Sequence, residues 1–113
     1  MVDLGRSGLV TFTFRCNTPR QVYLVGDFNH WDEIATPMQS GRDGNWYVTL
    51  RLPPGRHEFR YREQDGPWHT DYAAFGVVRN AFEEFNSVVE VDPAQRLRAM
   101  PANYPFSGVA ARQ

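Results

Sequence analysis

The stretch WYVTLRLPPGRHEFRYRE, residues 46–63, decides the fold. Trp46, Val48, Leu50 and Leu52 alternate with Tyr47, Thr49 and Arg51, the period of a strand with one buried face. Pro53, Pro54 and Gly55 stop that run, and a second alternation follows at once. In it His57, Phe59 and Tyr61 share one face and Glu58, Arg60 and Arg62 the other. Two alternating runs parted by Pro-Pro-Gly predict a β-hairpin.

The same signals recur on either side. LVTFTFRC, residues 9–16, turns Val10, Phe12, Phe14 and Cys16 one way and Thr11, Thr13 and Arg15 the other. After the turn NTPR, the run QVYLVG reads as a more buried strand. A polar segment, residues 27–45, follows, punctuated by Pro37 and SGRDGN. QDGPWHTD reads as a turn-rich loop with Asp65 and Gly66 at its tip. YAAFGVVRNAFEEFN, residues 72–86, fits a strand fragment or a helical turn, although Gly76 weakens the helix. SVVEV closes the sheet region, with Asn86 at the start of the last strand. Beyond Asp92 the character changes. PAQRLRAM suits a short helix with Asp92 as N-cap and Pro93 in its first position, ended by Pro101. The remaining tail reads as a docking arm anchored by Tyr104 and Phe106 or as a linker.

Five or six short strands without a long helix indicate an all-β sandwich of immunoglobulin size with a short C-terminal helical or irregular tail. The expected division is an N-terminal tail over residues 1–7, the sandwich over 8–92 and the C-terminal tail or linker over 93–113. A length of 113 residues suits one domain and suffices for a core without staples. Aromatic residues reach 14% and stand among 9 Gly and 8 Pro, which again favours strands joined by tight turns.

Composition excludes several classes of function. A net charge of −1 with scattered arginines gives no basic surface for nucleic acid. No apolar run approaches the roughly 20 residues of a membrane span. The start MVDLGRSG has no charged-then-apolar pattern of a secretory signal, so the expected location is cytoplasmic. The single Cys16 forms no internal disulfide and reads as a small buried hydrophobe. His30, His57 and His69 lack metal-ligand spacing, and no glycine-rich loop leads into a helix, so no metal and no cofactor is expected. Glu83 and Glu84 are adjacent and would point to opposite strand faces rather than across a substrate, so no catalytic residue is assigned.

The tryptophans are more telling. Trp46 opens a clean strand and belongs to the core. Trp31 in FNHWDE and Trp68 in DGPWHT are flanked by polar residues and belong to no alternation. Each suits either a loop anchor folded inward or a flat surface on which a sugar ring can stack. Arg60, on the polar face of its strand, and Asn86 offer donors for sugar hydroxyls, although Arg60 equally suits a cross-strand ion pair.

In order, QVYLVGDFNHWDE, GNWYVTLRLPPGRHEFRYREQDGPWHTD and NSVVEV closely resemble the glycogen-binding domain of the AMP-activated protein kinase β subunit. More broadly they are similar to carbohydrate-binding module family 48, which includes the N-terminal domains of isoamylases and branching enzymes. The resemblance covers roughly residues 9–92. It implies an early-set, immunoglobulin-like sandwich that binds α-1,4-glucans such as glycogen, starch or maltooligosaccharides. By position it implies that Trp31 and Trp68 stack on glucose rings, that Arg60 replaces a sugar-binding Lys, and that Asn86 bonds hydroxyls. Phe82 falls where an apolar residue lines or pierces the curved glucan, and is larger than the Leu expected there. Glu84 stands where the kinase-type domain has a small hydroxyl residue, and one extra residue lies between Arg60 and Trp68. The expectation is a non-catalytic α-glucan-binding module. The alternative is an isoamylase-like structural domain that docks on a glycoside hydrolase or a kinase-type partner without binding sugar. Weighted by the resemblance, Phe28 is the core anchor of its loop, Trp31 the exposed stacking surface, and Asn29 and Asp32 the turn formers.

Overall fold

A computed structural model describes residues 1–92. The expected helix after Asp92 and the Tyr104 and Phe106 anchors lie outside these residues. The described chain is a sandwich of two antiparallel sheets. One sheet has the order β1 (Val2–Leu4), β2 (Leu9–Arg15), β5 (Asn45–Arg51) and β4 (Gln39–Ser40). The other has the order β3 (Val22–Gly26), β6 (Gly55–Glu63), β9 (Phe85–Val91) and β8 (Gly76–Arg79), with the two-residue β7 (Trp68–His69) also on β6.

The core follows from the alternations. Val10 and Phe12 of β2 meet Trp46 and Leu52 from one sheet and Leu24, Phe59, Tyr61, Val89 and Val91 from the other. Phe12 sits edge-on to Phe59 with ring centroids 4.9 Å apart, and Phe14 stacks on Tyr61 at 4.4 Å. Burying each large side chain contributes about 1.5–3 kcal/mol. The Tyr61 hydroxyl enters this core because Asp71 accepts its hydrogen bond at 2.8 Å. Burial, reinforced by the Asp71 charge, pushes that phenol far above its ordinary range.

Two expectations are corrected. β5 and β6 do not pair. β5 lies against β2 and β4, whereas β6 lies against β3, β7 and β9, so Pro-Pro-Gly carries the chain from one sheet to the other. Two-residue hairpin turns need positive φ at their centre, which proline cannot adopt. Residues 1–7 are not merely a tail, because Val2 and Leu4 of β1 pair with Phe12 and Val10 and pack against the core. Of the two readings left open for residues 72–86, the strand is the one found: Gly76–Arg79 pairs with β9 in a hairpin, with Val78 opposite Asn86.

Long β6 organises the second sheet. Its first half pairs β9, with Glu58 opposite Val88, and its end pairs β7, with Arg62 opposite Trp68. Because side chains alternate, Glu58, Arg60, Arg62, Trp68 and Asn86 all share the outer face. His57, Phe59, Tyr61, Glu63 and His69 face inward, towards the other sheet.

Candidate functional site

The outer face of the second sheet carries an open groove of about 560 Å³ lined by Trp31, Glu33, Arg60, Trp68, Asn80, Phe82, Glu84 and Asn86. Every residue singled out from the sequence as a candidate sugar contact lines it. Three pieces of chain build it: the turn after β3, the floor of β6, β7 and β9, and the turn between β8 and β9.

The first wall explains Trp31. β3 ends at Gly26, where an added Cβ would lie 2.7 Å from the Glu58 carbonyl oxygen and from the Phe28 ring. Only glycine lets Phe28 fold back there, and its ring reaches within 5.9 Å of Phe12. The 3-10 turn Asp27–Asn29 follows. Asn29 ties it down, accepting from the Gly26 N–H at 3.0 Å and donating to the Leu24 carbonyl and the Thr36 hydroxyl, both at 3.0 Å. His30 and Trp31 then adopt left-handed backbone, φ 59° and 56°, and the Trp31 N–H returns to the Gly26 carbonyl at 2.8 Å. A left-handed Trp is strained by about 1–3 kcal/mol and persists only because its surroundings hold it. The strain turns the indole out, leaving it 37% exposed. Asp32 completes the turn by accepting from the Ile34 N–H at 3.0 Å.

The floor carries charge and an aromatic plate. Trp68 is on strand β7 rather than in a loop. The Arg60 and Arg62 guanidinium carbons lie 5.4 and 5.2 Å from its ring centroid. Arg62 also pairs with Glu33, and Arg60 donates to Glu84 at 2.6 Å. An ion pair at Arg60 is therefore present, although its acid is the turn residue Glu84, a fellow groove residue, rather than one on a neighbouring strand. Arg60 is largely buried, and its Nε has no hydrogen-bond partner among the described residues. A buried unpaired donor costs about 1–3 kcal/mol, which favours a small shift of this guanidinium towards any acceptor in the groove.

The second wall depends on Asn80, which the sequence reading passed over. Its Oδ1 accepts from the Phe82 and Glu84 N–H groups at 2.9 and 3.1 Å, and its Nδ2 donates to Asn86 Oδ1 at 3.0 Å. Asn86 in turn donates to Glu58 at 3.1 Å. Each Asn86 amide atom keeps capacity for a further bond, one N–H and one lone pair. Held this way, the turn presents Phe82 with 83% of its surface exposed. Glu83 and Glu84 belong to this turn, not to a strand, and Glu83 takes φ 64°. Asn at a turn start is a readable signal, but the ambiguity of residues 72–86 concealed it.

A second polar cluster lies between the sheets at one end of the sandwich. Glu63 Oε2 is 2.7 Å from His69 Nε2 and 3.6 Å from Cys16 Sγ, while Thr18 donates to Oε1 at 2.8 Å. The hydrogen bond from His69 holds the Glu63 carboxyl below its ordinary range despite burial, with Thr18 and Cys16 adding to the effect. Burial first, and then the Glu63 charge, pushes the Cys16 thiol up. Cys16 is therefore half-buried with a polar neighbour rather than a plain apolar filler.

Among the described residues no helix is long and apolar enough to cross a membrane. No curated protein matches the chain. A family described as the glycogen recognition site of AMP-activated protein kinase matches residues 10–97, and the chain belongs to that family.

Proposed function

We propose that this member of the glycogen-recognition family is a non-catalytic module that holds a segment of α-1,4-glucan in the groove. The observation that carries the reading is the convergence of two indoles and Phe82 on a floor of Arg60 and Asn86. A pyranose ring has an apolar C–H face, which packs on an indole, and a rim of hydroxyls, which needs fixed polar partners. Trp31 and Trp68 take the ring faces. Phe82 meets the inside of the curved chain. Arg60 and Asn86 bond hydroxyls, and Glu84 sets the Arg60 guanidinium and accepts from the sugar rim.

Affinity is modest, because an open groove covers little of the ligand and a flexible glucan loses entropy on binding. The groove carboxylates Glu33 and Glu84 each face an arginine. That supports recognition over hydrolysis, which requires two carboxyls about 5–10 Å apart across a glycosidic bond.

Titration with maltoheptaose or β-cyclodextrin, followed by tryptophan fluorescence, tests the proposal. Saturable quenching or enhancement that is lost in Trp31→Ala and Trp68→Ala supports it. No response at millimolar ligand refutes it and favours the second reading, docking on a glycoside hydrolase or kinase-type partner. The exposed Tyr72, Phe75 and Val77 favour that second reading.

A further inference from the structure

We propose that Cys16, Glu63 and His69 form a binding site for a Zn²⁺-class divalent cation between the two sheets. The three ligand atoms, Sγ, a carboxylate oxygen and a ring nitrogen, all lie within 4.8 Å of one another. They come from three places in the chain. Cys16 directly follows β2 of one sheet, while Glu63 ends β6 and His69 ends β7 of the other. Glu63 and His69 meet across the β6–β7 pair, and Cys16, 47 residues before Glu63, joins them from the other sheet.

Two of the three ligand edges stand close to what the ion needs, and the third, Cys16 Sγ to His69 Nε2, is at most 4.8 Å. Tetrahedral zinc bonds of about 2.3 Å to sulfur and about 2.0–2.2 Å to nitrogen and oxygen place neighbouring ligand atoms about 3.3–3.6 Å apart. Cys16 Sγ and Glu63 Oε2 already stand 3.6 Å apart. His69 Nε2 is 2.7 Å from the same oxygen and needs to open by only a fraction of an ångström. The other carboxylate oxygen is held by Thr18 at 2.8 Å, the outer partner that orients a monodentate ligand. Phe14, with its ring centroid 4.9 Å from that of His69, closes one side with apolar surface. The Glu63 side chain is 11% exposed and that of His69 31%, so the site is shielded yet open towards His69. Three protein ligands leave a fourth position for water. A thiolate and an imidazole beside one carboxylate select a borderline-soft transition ion over Mg²⁺ or Ca²⁺, which take oxygen ligands.

Binding replaces the thiol proton of Cys16, which passes to solvent, with a metal–sulfur bond, and the Nε2 hydrogen that His69 gives to Glu63 moves to Nδ1 through the tautomer change, freeing the Nε2 lone pair for the ion. The ion ties β2 to β6 and β7 and so pins the short strand that carries Trp68 on its opposite face. The site stands independently of the groove, and neither reading falls with the other.

Calorimetry of the full chain with ZnCl₂ alone tests this, with a parallel Co²⁺ titration read by absorption. Expected are one ion per chain, release of a proton seen as a buffer-dependent enthalpy, and a sulfur-to-cobalt charge-transfer band with tetrahedral d–d bands. Cys16→Ser and His69→Asn each weaken binding at least tenfold, and Thr18→Ala weakens it about 10–100-fold, as loss of an outer partner does. Circular dichroism checks that each variant is folded. Should Cys16→Ser not fold, the charge-transfer band of the unaltered chain decides. No binding at micromolar Zn²⁺, a cobalt spectrum without the sulfur band, or folded Cys16→Ser with unchanged affinity overturns the proposal.

Discussion

Replacing Trp68 by Ala separates the groove from the rest of the fold. In the folded chain the indole meets two guanidinium groups, Arg60 at 5.4 Å and Arg62 at 5.2 Å. Each such contact at a partly exposed site contributes about 0.5–1 kcal/mol, so the variant loses about 1–2 kcal/mol of stability. For a domain of this size a loss of 1 kcal/mol lowers Tm by about 4–8 °C. Binding suffers more. An aromatic anchor in a recognition site commonly costs more than about 1.4 kcal/mol on truncation, a tenfold rise in Kd. The assay is isothermal titration with maltoheptaose beside a thermal melt of the same sample. Trp46→Phe is the control. Trp46 is buried and its indole N–H donates to the Cys16 carbonyl at 3.0 Å. Losing that bond costs about 0.5–1.5 kcal/mol of stability and leaves Kd within about twofold. The reasoning is refuted if Trp68→Ala melts lower yet keeps the Kd of the unaltered chain.

Phe82→Ala leaves Tm nearly unchanged, within about 0.5 kcal/mol, because the ring is 83% exposed, while glucan affinity by calorimetry falls several-fold. Gly26→Ala drives a Cβ against backbone that cannot yield and against Phe28. Urea denaturation should show a loss of about 1–3 kcal/mol, with weaker glucan binding as the Trp31 turn shifts. The lowered pKa of Glu63 gives a pH signature in chelator-treated protein. A carboxyl held below its ordinary value of 4.5 adds stability above that pH and loses it as pH falls through the folded value. Urea midpoints therefore decline more steeply below about pH 4.5 for the unaltered chain than for Glu63→Gln.

How far the sequence carried the fold depended on the range of each signal. Alternation in residues 9–16, 46–52 and 56–62 identified the inward faces correctly, since burial of Val10, Phe12, Trp46, Leu52, Phe59 and Tyr61 is written in period 2. Strand partners were less legible. Pro-Pro-Gly marks a break but does not say whether the chain turns back or crosses to the other sheet. Strands of two or three residues, β1 and β7, are too short to show a period. At the groove, local pattern leaves Trp31 between inward anchor and stacking surface, and only the resemblance, with Trp68, Arg60 and Asn86 in its company, points to the exposed position. Asn80 was missed because its work is done through hydrogen bonds to Phe82, Glu84 and Asn86 that only the folded hairpin creates. The Cys16, Glu63 and His69 cluster was illegible for a related reason. Metal spacing rules read ligands close in sequence, and although Glu63 and His69 meet across β6 and β7, Cys16 joins them only when the two sheets close.

The central claim is that a glucan lies across the outer face of the β6, β7 and β9 sheet. Heteronuclear NMR of the isotope-labelled chain titrated with maltoheptaose tests it most directly. The indole N–H signals of Trp31 and Trp68 and the side-chain amides of Asn80 and Asn86 should shift and saturate together, while Trp46 and the backbone of β1 and β2 stay in place. Shifts confined to the β1 and β2 sheet, or none at millimolar maltoheptaose, would contradict it.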